Sequence, residues 1–158
     1  MHNQFYFNNA TFKGEANFSD SSFTDKVNFT GAQFNGEANF VDVRFERDTY
    51  FNFVHFNGKT HFHDVQFNGE VNFTDAQFNG NSYFYRTHFK ELHRAGFIRT
   101  PFKEHYIANF VDAHFNGDAT FSDAQFNGGI FFLSVHFKGI TDFGSKKFRA
   151  EVHFRNNE

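Results

Sequence analysis

A phenylalanine recurs along this chain at alternating steps of six and five residues, and no other feature restricts the fold so severely. In the stretch from Val65 to Phe78 the rhythm is carried by Phe67, Phe73 and Phe78, each with a small or β-branched residue two positions earlier: Val65, Val71 and Ala76. Side chains at i and i−2 lie on the same side of an extended strand. Each Phe and its predecessor therefore face one interior together.

An eleven-residue period also fits a right-handed helical coiled coil, so that alternative has to be excluded. On a helix, steps of five and six would set successive Phe roughly 140° apart and split them into two seams. Most repeats also carry Gly after Asn, as in Asn35-Gly36, Asn57-Gly58, Asn68-Gly69, Asn79-Gly80, Asn116-Gly117 and Asn127-Gly128. Each such Gly costs ~1 kcal/mol in a helix interior. Asn-Gly is instead a turn signal that predicts positive φ at the corners. Short strands broken by turns remain.

Five-residue units centred on Phe account for nearly the whole chain, with one extra residue after every second unit: Glu15, Lys26, Glu37, Asp48, Lys59, Glu70 and Asn81. These extras are mostly charged, which predicts solvent-facing corners. Beyond Phe89 the spacing holds only if the single extra becomes three, Leu92-His93-Arg94 before Phe97 and His105-Tyr106-Ile107 before Phe110. The rhythm then resumes with Asp118, Gly129, Ile140 and Glu151. Residues 90–109 are read as one bulged coil inside a single domain, 1–158, with the two inserts at diagonally opposite corners.

Composition agrees with a repetitive core, since Phe supplies 30 of the 158 residues while Trp and Cys are absent and Met occurs once. Without Cys there is no disulfide framework, thiolate nucleophile or zinc thiolate site. A net charge of −3 points to no polyanionic or polycationic partner. No apolar run approaches the ~20 residues of a membrane helix, and the residues after Met1 do not read as a secretory leader. The expectation is a cytoplasmic protein with no membrane partner.

Units such as Ala38-Asn39-Phe40-Val41-Asp42 and Ala124-Gln125-Phe126-Asn127-Gly128 give the chain its resemblance to the pentapeptide-repeat proteins. The consensus of that family is a small residue, a polar residue, Leu or Phe, and two variable residues. More than twenty units agree with it. The resemblance implies an all-β fold, a right-handed quadrilateral parallel β-helix with four units per coil and the central Phe pointing inward. The chain departs from the family in using Phe at practically every centre and in taking 22 residues per coil instead of the usual 20. Nearly seven coils result, a rod on the order of 30 Å long at ~4.8 Å per coil.

With four units per coil, the outward positions flanking each Phe form ladders on four faces. Face one, around Phe18, Phe40, Phe62, Phe84, Phe110, Phe132 and Phe154, presents His61 and His63, then Tyr83 and Tyr85, Val111, and Phe131 and Leu133. That apolar run is the candidate interaction face, for a protein partner or a homodimer. Face four, with Gln33/Asn35, His55/Asn57 and Gln77/Asn79, reads as a solvated wall. His88, His114 and His136 stack on face two and are read, like His61 and His63, as neutral imidazoles on a wall, with no metal site and no cofactor. Asp20, Asp42, Asp64 and Asp112 line one corner, where Asp can hydrogen-bond the turn backbone.

A Phe-filled rod has no cleft in which to perturb a pKa, and no Ser/His/Asp or Cys/His set can be assembled, so no catalytic residue is predicted. The leading expectation is a non-catalytic protein-interaction scaffold without direct nucleic-acid binding. The resemblance supplies an alternative, a DNA-mimicking modulator of type II topoisomerase (gyrase). A rod of ~30 Å would need on the order of 17 uncompensated negative charges to match DNA fully. Eighteen acidic against fifteen basic residues leave three.

Overall fold

The computed structural model describes residues 4–90, 93–103 and 105–144, and the backbone of 152–155. Among the described residues every regular element is a short strand, and all pairings are parallel within four sheets of seven, six, seven and six strands. Each sheet is one side of a four-sided solenoid, with six full coils and part of a seventh.

Face one runs from Ala16–Asn17 to Val152–Arg155 and face two from Ser22–Phe23 to His136–Phe137. Face three runs from Phe5–Tyr6 to Thr141–Asp142 and face four from Thr11–Phe12 to Gln125–Phe126. Most strands contain two residues because each side of the square is only one pentapeptide long. Cooperation between coils makes up for this brevity, since every rung hydrogen-bonds the rungs above and below.

The interior is the set of Phe centres and their i−2 partners. Phe29, Phe40, Phe51, Phe62, Phe73 and Phe84 are all fully buried, as are Val27, Ala38, Val54, Val65 and Ala76. Within a column the rings stack nearly parallel, from 4.4 Å for Phe89 on Phe115 to 5.3 Å for Phe23 on Phe45. Rings of columns one and three meet edge to face, as Phe40 meets Phe51 at 5.6 Å and 86°. Offset stacking along the axis and T-contacts across it are the two arrangements the aromatic quadrupole favours. Two of the polar i−2 residues bond inward: the Thr87 and Thr100 hydroxyls donate to Phe62 O and Phe73 O, both at 2.7 Å.

The bulged coil has the expected register. Val71 pairs with Ala95 and Ser82 with Ala108, two and four residues beyond the regular step, and Ile107 with Gly129 restores it. One insert lies between faces two and three and the other between faces four and one, which are diagonal corners. Leu92 lies outside the described residues, as do Phe148 and the side chain of Phe154.

The corners require a correction. Positive φ does not fall on the glycines of the Asn-Gly pairs. It falls mainly two residues after the Phe of faces one and three, on Asn9, Asp20, Gly31, Asp42, Phe53, Asp64, Asp75, Arg86, Arg99, Asp112, Asp123 and Ser134, and besides these on His105 in the second insert and on Gly144. There the chain turns in four residues, with Ala32 N–H donating to Phe29 O at 2.8 Å. The Asn-Gly glycines answer a different need, close stacking of coils. A Cβ on Gly58 would stand 2.5 Å from Gly36 O and one on Gly80 2.4 Å from Gly58 O, backbone against backbone.

Candidate interaction face

On faces one and three the residue before the central Phe has a local task. Asn17, Asn28, Asn39, Asn72 and Asn109 each accept, through Oδ1, the N–H two residues on, at 2.8 to 3.0 Å. This bond braces the approach to the turn. An aromatic ring stands in the asparagine's place at His61, Tyr83 and Phe131 of face one and at Tyr6 and Tyr50 of face three, and only on face one do two such rings, His61 and Tyr83, occupy successive coils.

The second outward row, His63, Tyr85, Val111 and Leu133, is held in register by the backbone. Their carbonyls accept the N–H groups of Asp42, Asp64, Arg86 and Asp112 in the coil before. The two rows merge into one ring cluster: His61 stacks on Tyr83 at 5.1 Å, His63 meets Tyr83 edge-on at 5.7 Å, and His63 lies 6.0 Å from Tyr85. Arg86 frames it, with Cζ 4.3 Å from the Tyr85 ring centre and both nitrogens on Asp64 at 2.6 Å. That fork holds the Asp64 carboxyl below the usual carboxylate range.

All seven predicted residues are brought onto one face, and all are half-buried, because each ring shelters its neighbours. Asn109 stands between Tyr83 and Phe131 in the first row, so the contiguous apolar path runs through Tyr85, Val111 and Leu133. The side chains of His153 and Arg155 lie outside the described residues. Burial and the neighbouring His61 push the His63 imidazole below its ordinary pKa, so it is neutral at physiological pH. Among the described residues, the buried side-chain polar atoms without a hydrogen bond are His61 Nε2 and His63 Nε2, which belong to this cluster, and Ser82 Oγ, which is buried on the same strand as Tyr83. His61 Nε2 lies 3.0 Å from Glu37 Oε1, but out of hydrogen-bonding alignment.

Sequence reasoning missed the edge of the patch. Tyr106 and Ile107 are 39% and 37% exposed on the corner that leads into face one. The signal was present, two apolar residues inside a three-residue corner insert. No group of three or more His, Asp or Glu among the described residues is placed to hold a metal ion. No helix among them is long and apolar enough to cross a membrane.

A parallel β-solenoid with four sheets, Phe-centred rungs and no helix among the described residues defines a class of repeat architecture whose working surfaces are its outer walls. The family model for pentapeptide repeats (9 copies) matches residues 7–55, 54–93 and 105–145, and the chain belongs to the pentapeptide-repeat family. The interruption in that match falls on the bulged coil. Members of this family often act as protein-interaction or scaffold modules, and the fold is not a known class of enzyme. No curated protein matches the chain.

Proposed function

We propose that this chain is a non-catalytic, cytoplasmic protein-interaction scaffold that associates with a second copy of itself through face one. The observation that carries the reading is the cluster of His61, His63, Tyr83 and Tyr85 rings on successive coils of face one, continued by Val111 and Leu133 in the same outward row. A self-complementary pairing of this face closes as a dimer, whereas a head-to-tail contact would run on into fibres. The uncharged rings and aliphatic groups of the face suit a hydrophobic interface core, and Arg86 beside Tyr85 suits its rim.

The alternative, a DNA-mimicking modulator of type II topoisomerase, has less support. Asp64 and Asp75, which would have to imitate phosphates, are neutralised by forked pairs with Arg86 and Arg99. Sedimentation of the wild type and of a Tyr85→Glu, Phe131→Glu variant tests the proposal. The wild type is expected to dimerise at micromolar concentration, and the variant to associate at least about a hundredfold more weakly, because each carboxylate would be buried unpaired. A wild type that is monomeric at high micromolar concentration, or a variant that dimerises unchanged, rejects the face. A supercoiling assay showing gyrase inhibition would favour the alternative.

A further inference from the structure

Face two changes character halfway along the rod. In its first coils the outward residues are of mixed sign, with Arg44 3.8 Å from Glu46 and Glu46 holding the Asn68 amide at 3.0 Å. From the fourth coil on, the row before the Phe is His88, His114 and His136, and the row after it is Lys90, Asn116 and Lys138. No carboxylate stands in either row across these three rungs, on a chain whose net charge is −3.

The three imidazoles are stacked face to face, at 4.7 Å and 3° for His88 on His114 and 4.5 Å and 4° for His114 on His136. Parallel rings stand side by side along the wall, so they form a row of imidazole edges and not a convergent metal cage. Beside them a cleft of about 340 Å³ is lined by Gln66, Phe67, Asn68, His88, Lys90 and Asn116. Two ammonium groups flank the row at either end, with an amide between them.

We propose that this half of face two binds a linear oligophosphate, the imidazole edges and the Lys90 and Lys138 ammonium groups donating to oxygens of successive phosphates. The spacing selects the chemistry. Rungs 4.5 to 4.7 Å apart are closer than the ~6.6 Å between same-side carboxylates of an extended acidic polypeptide. Adjacent phosphates place several acceptor oxygens within one rung and offer them to charged donors, the strong form of hydrogen bond.

The binding is coupled to protons. His114 is held below its ordinary pKa by burial first and then by His88 and His136, with Lys138 acting the same way and Asp112 opposing. Lys90 adds positive charge on the neighbouring rung. A bound anion reverses this balance, so His114 takes up a proton on binding, and affinity rises as pH falls toward the lowered pKa of the free imidazole and levels off below it.

The experiment is calorimetric titration of the folded chain with sodium tripolyphosphate at pH 6 and pH 7.5, with orthophosphate as the monovalent-site control. Tripolyphosphate is expected to bind several-fold more tightly at pH 6 than at pH 7.5, within the roughly thirtyfold ceiling that linkage to one proton sets over this interval, with net proton uptake in buffers of different ionisation heat. Orthophosphate is expected to bind at least tenfold more weakly. Lys90→Gln, Lys138→Gln should remove binding with the far-UV circular dichroism unchanged, since both side chains are exposed. His114→Asn should keep weak binding and lose the pH dependence. The site is overturned if the wild type does not bind tripolyphosphate at pH 6, if affinity is the same at both pH values, or if either variant titrates like the wild type.

Discussion

Replacing Phe73 by Ala is expected to lower stability by about 3 to 5 kcal/mol, the range for deleting a fully buried aromatic ring whose cavity cannot collapse. Phe73 is fully buried and stacked between Phe51 at 4.8 Å and Phe97 at 4.9 Å. It also meets Phe62 and Phe84 edge-on at 5.5 and 5.7 Å. The neighbours are themselves locked into columns, so none can move in to fill the space. Contacts in a solenoid reach only adjacent coils, so the loss should be local, with amide protection falling in the coils around Phe73 before the chain ends.

The contrasting substitution is Phe53→Asn. Phe53 is 55% exposed and adopts φ 55°, where the equivalent turn residues are Asn9, Gly31 and Asp75. A bulky side chain in the left-handed region is strained and an asparagine tolerates it, so stability should rise, by roughly 0.5 to 1 kcal/mol. Chemical denaturation of both variants checks the pair. Comparable losses at Phe73 and Phe53 would contradict the division into interior and corner.

The same two residues show how far the fold could be read from sequence. The interior was legible because one large residue type carries the period and a small residue two positions earlier confirms it. Even the bulged coil kept its register, since Phe97, Phe102 and Phe110 continue the columns, and Phe78 pairs with Phe102 as the spacing required. The corners were not legible. Asn-Gly indicates positive φ in an isolated turn, but here the left-handed position is set by the four-residue turn closing faces one and three. That turn accepts Asp20, Phe53 or Arg99 because the coils on either side fix its backbone.

The candidate face was legible to the same depth. Period two was enough to put His61, His63, Tyr83, Tyr85, Val111, Phe131 and Leu133 on one wall. The fork from Arg86 to Asp64 and the ring cluster depend on how far one coil is displaced along the next. Inserted residues alter that displacement in ways a linear pattern does not contain.

Substituting alanine for glycine should give results of opposite sign at two corners of identical local sequence position, Gly14 and Gly58. A Cβ on Gly58 would meet Gly36 O at 2.5 Å, Gly36 C at 2.6 Å and Glu37 N at 2.9 Å, all of them backbone atoms. Relief would require parting two coils, which stretches the hydrogen bonds of Asn57 N–H to Phe34 O and Ala38 N–H to Lys59 O beside that corner. Gly58→Ala is therefore expected to cost about 2 to 3 kcal/mol or more, at the upper end of overpacking changes. A Cβ on Gly14 would meet nothing within 4 Å, and neither glycine has positive φ. Gly14→Ala should then raise stability by about 0.4 to 1 kcal/mol, because the unfolded chain loses freedom and the folded chain loses nothing. Urea denaturation of the two variants decides between coil contact and backbone conformation as the reason for glycine. Equal destabilisation at both sites would mean that conformation governs. A loss at Gly58 alone would mean that these glycines set the distance between successive coils, and with it the spacing of every ladder on the outer walls.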